Sequence, residues 1–356
     1  MALTYDVFRG SPEGKIVTDK VSSDLGYNEV FIETLVSGVC GTDEHYLKSD
    51  QVLGHEGVGI IKAAGPGVQT VKIGDRVGFG FTHGICARCD NCARDMDQFC
   101  REKKQYGTND FDNGSFSYNA IWDANCVFPI PDEIESTHAA PLMCAGATVW
   151  TVLTRFDMRP GDRVGIQGVG GLGHLAIKLA AAMGYHVVVL SSSEAKRQEA
   201  MEYGASEYHV FRAESPLRSF KPLKHLLLCG SGGVKYSSIL PLMDSPSAIY
   251  PLTATFEASP IPTLELCFKG CKIQGSLVAS RQSTQALLEF AAKKQIYPTI
   301  MTFPFTSAGI EEAMSQLRDG KSAAYKLHVV DSKCAKGAGA DRIRQGPKQR
   351  RSSRPK

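Results

Sequence analysis

Hydrophobic positions follow two rhythms along the chain. Up to about residue 130 they fall in short β-type runs punctuated by glycine, such as "EVFIETLVSGVCG", "GVGIIKAAGPGV" and "DRVGFGF". Runs of this kind predict a compact, loop-rich β domain. From about residue 160 the rhythm changes. The strand-like "RVGIQ" leads through a glycine-rich turn into the helical "GHLAIKLAAAMGY", followed by "HVVVL", the helical "SEAKRQEAMEYG", "YHVF" and "HLLLCG". Apolar strands alternating with helical segments predict a parallel sheet built from βαβ units. Two further runs, "SAIYPLTA" and "CKIQGSLVA", bring the strand count to six. The stretch from "TQALLEFAAKKQI" to "YKLHVV" predicts helices and a closing strand.

Composition adds little to this except at the end of the chain. With 356 residues, 43% hydrophobic and 22% charged, the chain is long enough for two cores. Residues 333–356 carry nine Lys or Arg and one Asp, a net +8; taken from the formal +3 of the whole chain, this leaves residues 1–332 at −5. A mildly acidic body argues against a nucleic-acid groove. The basic tail, poor in apolar residues, is expected to be disordered. No stretch approaches the roughly twenty apolar residues of a membrane span. The start "MALTYDVFRGSPEG" lacks the basic and apolar regions of a signal peptide. The expected compartment is therefore cytoplasmic, where clustered cysteines point to metal rather than disulfides.

After "RVGIQ" comes "GVGGLG", with Gly168, Gly170 and Gly173 in G-x-G-x-x-G spacing and Gly171 and Leu172 between them. The first glycine permits a tight turn, the second a close backbone approach to a pyrophosphate, and the third close packing of the next helix. The strand–turn–helix setting makes this a dinucleotide site. The second strand, "HVVVL", runs into "SSSEAKR". Ser191, Ser192 and Ser193 thus occupy the region where an NAD site usually holds an acid. Small hydroxyls leave room for a 2′-phosphate, and Lys196 and Arg197 add positive charge. Glu194 is the dissenting acid, and helix capping is the competing reason for the serines. The reading favours NADP(H) over NAD.

Four of the eleven cysteines lie in "CARCDNCARDMDQFC". Cys86, Cys89, Cys92 and Cys100 have the spacing C-x₂-C-x₂-C-x₇-C, which brings four thiolates to one ion. Four sulfurs close a tetrahedral zinc site and make it structural; an iron–sulfur cluster could use four cysteines too. Any catalytic metal must then lie elsewhere. Candidates are Cys40, Thr42, Asp43 and His45 in "GVCGTDEHYL", His55 and Glu56 in "GHEGVGIIKAAGPGV", and Cys144 in "PLMCAGATVW". Cys126, Cys229, Cys267 and Cys271 are expected in the core.

In their order, "CGTDEH", "GHEGVGIIKAAGPGV", "GDRVG", the four-cysteine stretch, "PLMCAGATV", "GVGGLGHLAIKLA" and "SSSEAK" resemble the zinc-dependent medium-chain alcohol dehydrogenases. The similarity is greatest to the cinnamyl alcohol dehydrogenase-like, NADP-linked branch, and it extends loosely to about residue 331. The resemblance implies two zinc ions per chain, one structural and one catalytic. It implies that Cys40, His55 and Cys144 bind the catalytic zinc, with water or Glu56 completing the tetrahedron. It further implies that Thr42 and His45 relay a proton, that Asp43 orients a ligand such as His55, and that Thr148 lies near the nicotinamide.

The implied fold is α/β: a GroES-like, β-rich catalytic domain plus a Rossmann domain with a doubly wound, six-stranded parallel sheet. The expected division is 1–144 and 279–332 for the catalytic domain, 145–278 for the cofactor domain and 333–356 for the tail. The implied reaction is hydride transfer between NADPH and an aromatic or medium-chain aldehyde, or alcohol oxidation with NADP. Its partner is a small-molecule substrate, with no nucleic acid and no membrane; a homodimer is left open. Two alternatives fit the same motifs less well. An NAD-dependent polyol dehydrogenase would favour Glu in place of Cys144 and an acid in place of the serines. A non-catalytic zinc and NADPH-binding sensor would have no reason to keep Thr42 and His45. The chain departs from the branch in three places: nine residues separate His45 from His55, residues 212–230 are irregular, and a basic tail follows. Phe81, Phe116, Trp122 and Trp150 are the aromatic candidates for an apolar substrate pocket.

Overall fold

The computed structural model describes residues 2–318, apart from 215, 216, 218, 231, 254, 256 and 257, together with the backbone of 326–330. The tail at 333–356 lies outside the described residues. Two main sheets carry the fold. The first half of the chain builds a seven-stranded sheet around the long strand Glu29–Val39, which pairs antiparallel with Gly57–Ala64, with Asn119–Asp123 and with Lys326–Val330. Strands Ile300–Pro304 and Lys326–Val330 bring the end of the described chain back onto this sheet. Inward positions of Glu29–Val39 alternate as the pleat requires, with Val30, Ile32 and Thr34 buried and the residues between them half-buried.

The second sheet has six parallel strands in the spatial order Glu207–Val210, His186–Ser191, Arg163–Gln167, Leu223–Leu228, Met243–Pro251 and Cys271–Ile273. That is the doubly wound order 3-2-1-4-5-6, whose switch point falls beside the first strand. Val187, Val188, Val189, Leu226 and Leu227 are fully buried, as strands covered on both faces must be. The last strand is shorter than "CKIQGSLVA" suggests, ending at Ile273. Within the irregular region, the described residues still supply the fourth strand, and His225 in it hydrogen-bonds Tyr250 Oη at 3.1 Å. Cys126, Cys229 and Cys271 are buried as expected, whereas Cys267 is exposed on a short helix whose residues are all at least partly accessible.

The core of the parallel sheet continues through helices Ala145–Arg155 and Arg281–Lys294 into residues of the first sheet, including Val36 and Val58. This shared core joins the two sheets. Among the described residues, no helix is long and apolar enough to cross a membrane.

Candidate active site

Three separate pieces of backbone bring the first cluster together. Strand Glu29–Val39 ends at Cys40, which precedes the five-residue helix Gly41–His45. His55 follows Gly54, whose φ of +85° suits glycine and whose added Cβ would lie 2.4 Å from the Phe116 ring. Cys144 sits where a short 3-10 helix at 140–143 gives way to helix Ala145–Arg155. The Cys40 and Cys144 sulfurs are 4.0 Å apart. Ligand atoms of Cys40, His55, Glu56 and Cys144 all lie within 4.8 Å of one another, with His55 and Glu56 buried. Gly38, across the sheet from Glu56, leaves the space its carboxylate occupies, since a Cβ there would approach that group to 2.0 Å.

Asp43 holds this cluster from behind. Its Oδ2 accepts the Cys40 backbone N–H at 2.8 Å, and its Oδ1 faces His55 Nδ1 at 2.8 Å. Asp43 and His55 are both fully buried. The second imidazole nitrogen, Nε2, is buried with no hydrogen-bond partner. Burial alone would pull the His55 imidazole down. The Asp43 carboxylate and the Cys40 sulfur more than offset this and hold it well above its ordinary value. A concentration of negative groups around an orphaned nitrogen calls for a cation. Two sulfurs, one imidazole nitrogen and a nearby carboxylate form a donor set suited to zinc, so the residues fit the metal.

Thr42 Oγ1 lies 3.7 Å from the Cys40 sulfur and is half-buried, while His45, at the end of the same helix, is exposed. Arg318 fastens this helix from outside by pairing with Glu44 at 2.9 Å. The short connection from His45 to His55 is stitched to other segments. Gly10 N–H donates to Gln51 O at 3.0 Å, Val52 N–H to Phe111 O at 2.8 Å and Leu53 N–H to Phe8 O at 3.0 Å. Arg9 also pairs with Asp50 at 3.3 Å and Asp112 at 2.5 Å.

The four cysteines form the second cluster, in a lobe of their own. Sulfur separations of 3.4 Å (Cys86–Cys100), 3.6 Å (Cys89–Cys92) and 3.9 Å (Cys89–Cys100) match the ~3.8 Å edge of a tetrahedron with ~2.3 Å zinc–sulfur bonds. Backbone N–H groups of Cys86 and Glu102 point at the Cys100 sulfur at 3.3 and 3.4 Å. The backbone N–H groups of Arg101 and Cys92 draw the Cys89 thiol down to about 6, whereas burial pushes Cys92 up to about 12. Two ion pairs tie the lobe to helices on either side of the parallel sheet's segment of chain. Asp97 binds Arg281 at 2.7 Å, and Asp95 binds Arg155 at 2.6 Å.

The glycine turn has the shape a pyrophosphate needs. Gly168 has φ +94°, and an added Cβ at Gly173 would lie 1.9 Å from Gly168 O. Gly170 precedes helix Gly171–Ala182, whose Gly171 and Leu172 stand in its first turn. At the end of the second strand, Ser191 is half-buried and Ser192 and Ser193 are exposed. Ser193 makes no side-chain capping bond to the 3-10 helix after it, so capping does not explain that hydroxyl. Glu194 is engaged by Arg197 at 2.5 and 2.9 Å, and the Arg197 guanidinium covers the Tyr208 ring at 4.7 Å. Lys196 lies 3.2 Å from Glu199. Thr148 is buried one turn beyond Cys144, donating its N–H to Cys144 O at 2.9 Å. Among the aromatic candidates, Phe81 stands edge-on to His55 at 5.9 Å. Phe116 and Trp122 are core residues, and Trp150 packs on Phe290.

Sequence reasoning missed Tyr106, which is fully buried and lies with its ring centroid 4.7 Å from that of His55. Its spacing from the other residues carries no signal, because its partners come from distant parts of the chain.

Two family models match in chain order. The alcohol dehydrogenase GroES-like domain matches residues 26–132, and the zinc-binding dehydrogenase domain matches residues 171–293. The chain is 36% identical over 297 residues to a probable cinnamyl alcohol dehydrogenase 1 of Eucalyptus gunnii, covering 76% of this chain and 80% of the relative. It is 33% identical over 294 residues to NADP-dependent alcohol dehydrogenase C 1 of Mycolicibacterium smegmatis, covering 78% and 83%. Among solved structures, the CAD of Helicobacter pylori complexed with NADP(H) superposes with a TM-score of 0.85 at 28% identity, covering 94% of this chain and 99% of that one. Shared domains in a shared order, matched over three quarters of the chain, place it in a known group: the chain belongs to the zinc-binding alcohol dehydrogenase family.

Proposed function

We propose that the chain interconverts an aldehyde, aromatic or of medium length, and its alcohol with NADP(H) as the hydride partner. The observation that carries the reading is the convergence of Cys40, His55, Glu56 and Cys144, whose ligand atoms lie within 4.8 Å of one another. Bound there, zinc would supply a Lewis acid for the carbonyl oxygen, and the nucleotide would supply the hydride. Cys40, His55 and Cys144 would hold the metal, with Glu56 within reach of the same point. Asp43 would keep a proton on His55 Nδ1, so that when metal displaces the other proton Nε2 serves as the ligand atom. Thr42 lies beside the Cys40 sulfur and passes a proton toward the exposed His45 at the end of the same helix. Gly168, Gly170 and Gly173 admit the pyrophosphate, with Gly171 and Leu172 offering backbone N–H groups at the helix start. Thr148, buried one turn beyond Cys144, would lie near the nicotinamide.

NADP(H) is favoured because Glu194, the acid that follows the serines, is already paired with Arg197. Ser191, Ser192 and Ser193 would then meet a 2′-phosphate with Lys196, itself 3.2 Å from Glu199, close by. We assign residues 1–144 and 279–332 to the catalytic domain and 145–278 to the cofactor domain. Absorbance of the nicotinamide, followed with cinnamaldehyde and either NADPH or NADH, tests the whole reading. NADPH should be oxidised well above the NADH rate. Ser192→Asp should lower kcat/KM for NADPH by roughly 100-fold while leaving the NADH value little changed. Faster NADH turnover by the unaltered protein would overturn the assignment of the serines.

A further inference from the structure

Tyr106 stands six residues beyond Cys100, on the chain leaving the four-cysteine lobe. The two-residue strand just before it, Lys104–Gln105, pairs with Thr82–Gly84. Its own N–H donates to Phe81 O at 2.9 Å. The phenol hydroxyl donates to Asp43 Oδ1 at 2.8 Å and accepts the Gly54 N–H at 3.1 Å. One oxygen thereby bridges the carboxylate behind His55 and the backbone immediately before His55. The ring is held as firmly. It lies over the His55 imidazole at 4.7 Å and a 32° tilt, and Tyr46 packs edge-on against it at 5.3 Å. Gly107 permits that approach, since a Cβ there would lie 2.2 Å from Tyr46 Cζ.

Resting on the metal centre proposed above, we infer that Tyr106 is a positioning residue for His55 and mechanically links the four-cysteine lobe to the reaction centre. Asp43 Oδ1 receives both the His55 N–H and the Tyr106 O–H, so the phenol sets the carboxylate rotamer that sets the imidazole. The ring face resists rotation of the imidazole out of the plane that aims Nε2 at the sulfurs. Partners of this kind, hydrogen-bonded behind a ligand, contribute about 10- to 100-fold in metal affinity. A disturbance of the lobe reaches Tyr106 through five intervening residues of backbone.

The test compares full-length wild type with Tyr106→Phe, which keeps the ring and removes the hydroxyl. Zinc content is measured first, then zinc release to a chromogenic chelator, kcat, the KM for NADPH and the melting midpoint. Wild type should hold two zinc ions. In the variant the less cysteine-rich site should release zinc at ~10- to 100-fold lower chelator concentration, with the four-cysteine step unmoved. The kcat should fall with the KM for NADPH unchanged. Wild-type release and a kcat within twofold of wild type would overturn the inference and leave the metal centre standing. Two release steps that shift together, with a lowered melting midpoint, would assign Tyr106 to packing and also overturn it. A wild type holding one zinc would overturn the metal centre itself, and the inference with it.

Discussion

The two sulfur clusters are built from the same chemistry and by opposite means. Cys86, Cys89, Cys92 and Cys100 come from fifteen consecutive residues, and short turns bring them together. Cys40, His55 and Cys144 span more than a hundred residues and meet only because a strand end, a glycine turn and a helix start converge. The local cluster is closed by four sulfurs, with Cys86 and Cys89 part-exposed. The assembled cluster rests on buried Asp43 and Tyr106, with Cys40 and Cys144 part-exposed. Local ligands can organise a lobe by themselves, whereas assembled ligands depend on the surrounding core to hold an open position.

The sharpest way to break this comparison is to remove one sulfur from each cluster. Cys144→Ala should lower kcat/KM by roughly 10³-fold, the equivalent of several kcal/mol of lost Lewis-acid stabilisation. Its melting midpoint should move by less than about 4 °C. Cys100→Ser should lose zinc, thermal stability and activity together, because the lobe's own order depends on the metal and Tyr106 follows from it. Calorimetry and zinc analysis on both variants decide the matter; equal losses of stability would erase the distinction.

A smaller effect separates the lobe's metal from its anchors. Asp97 is 4% exposed and meets Arg281 through its carboxylate at 2.7 Å, with the Arg281 backbone N–H on the other oxygen at 3.0 Å. Asp97→Asn should cost about 2 kcal/mol, less than a fully buried pair because Arg281 reaches solvent. Limited proteolysis should cut the lobe sooner while zinc content stays at wild-type level. Lost zinc would show that the lobe is not locally organised.

The smallest effect provides a baseline away from both clusters. Glu207, on the edge strand, binds His186 on the neighbouring strand, Arg163 on the strand after that, and His209 on its own strand. The Arg163 guanidinium, with the two imidazoles, holds its carboxyl well below the usual carboxylate range. A carboxyl lowered by folding stabilises the protein above its unfolded value, near ~4.3, and that contribution is lost as the pH falls below it. Glu207→Gln should therefore destabilise by about 1 kcal/mol at pH 7, with the difference shrinking below about pH 4. Denaturant melts at several pH values test the sign, and both zinc sites should be unaffected.

What could be read in advance follows the same division between local and assembled structure. The six parallel strands were legible because each is a short apolar run and its helix lies next to it in sequence. The four-cysteine site was legible because its geometry is carried by spacing. The Cys40, His55 and Cys144 set was legible only through motif resemblance, since no spacing rule links residue 40 to residue 144. Phe116 and Trp122 are candidates for a pocket in the sequence, and both are buried in hydrophobic cores. An aromatic side chain gives no sign of the face on which it will be buried.

By itself, then, the sequence determined the secondary-structure rhythm, the glycine turn and the closed sulfur site, all set by interactions within a few turns of chain. Only the tertiary structure decided that Asp43 grips Cys40 and His55 at once, that Arg197 pairs with Glu194, and that Tyr106 bonds Asp43 and packs on His55. Those contacts depend on which segments the two cores press together, and burial then fixes each polar group to the one partner within reach.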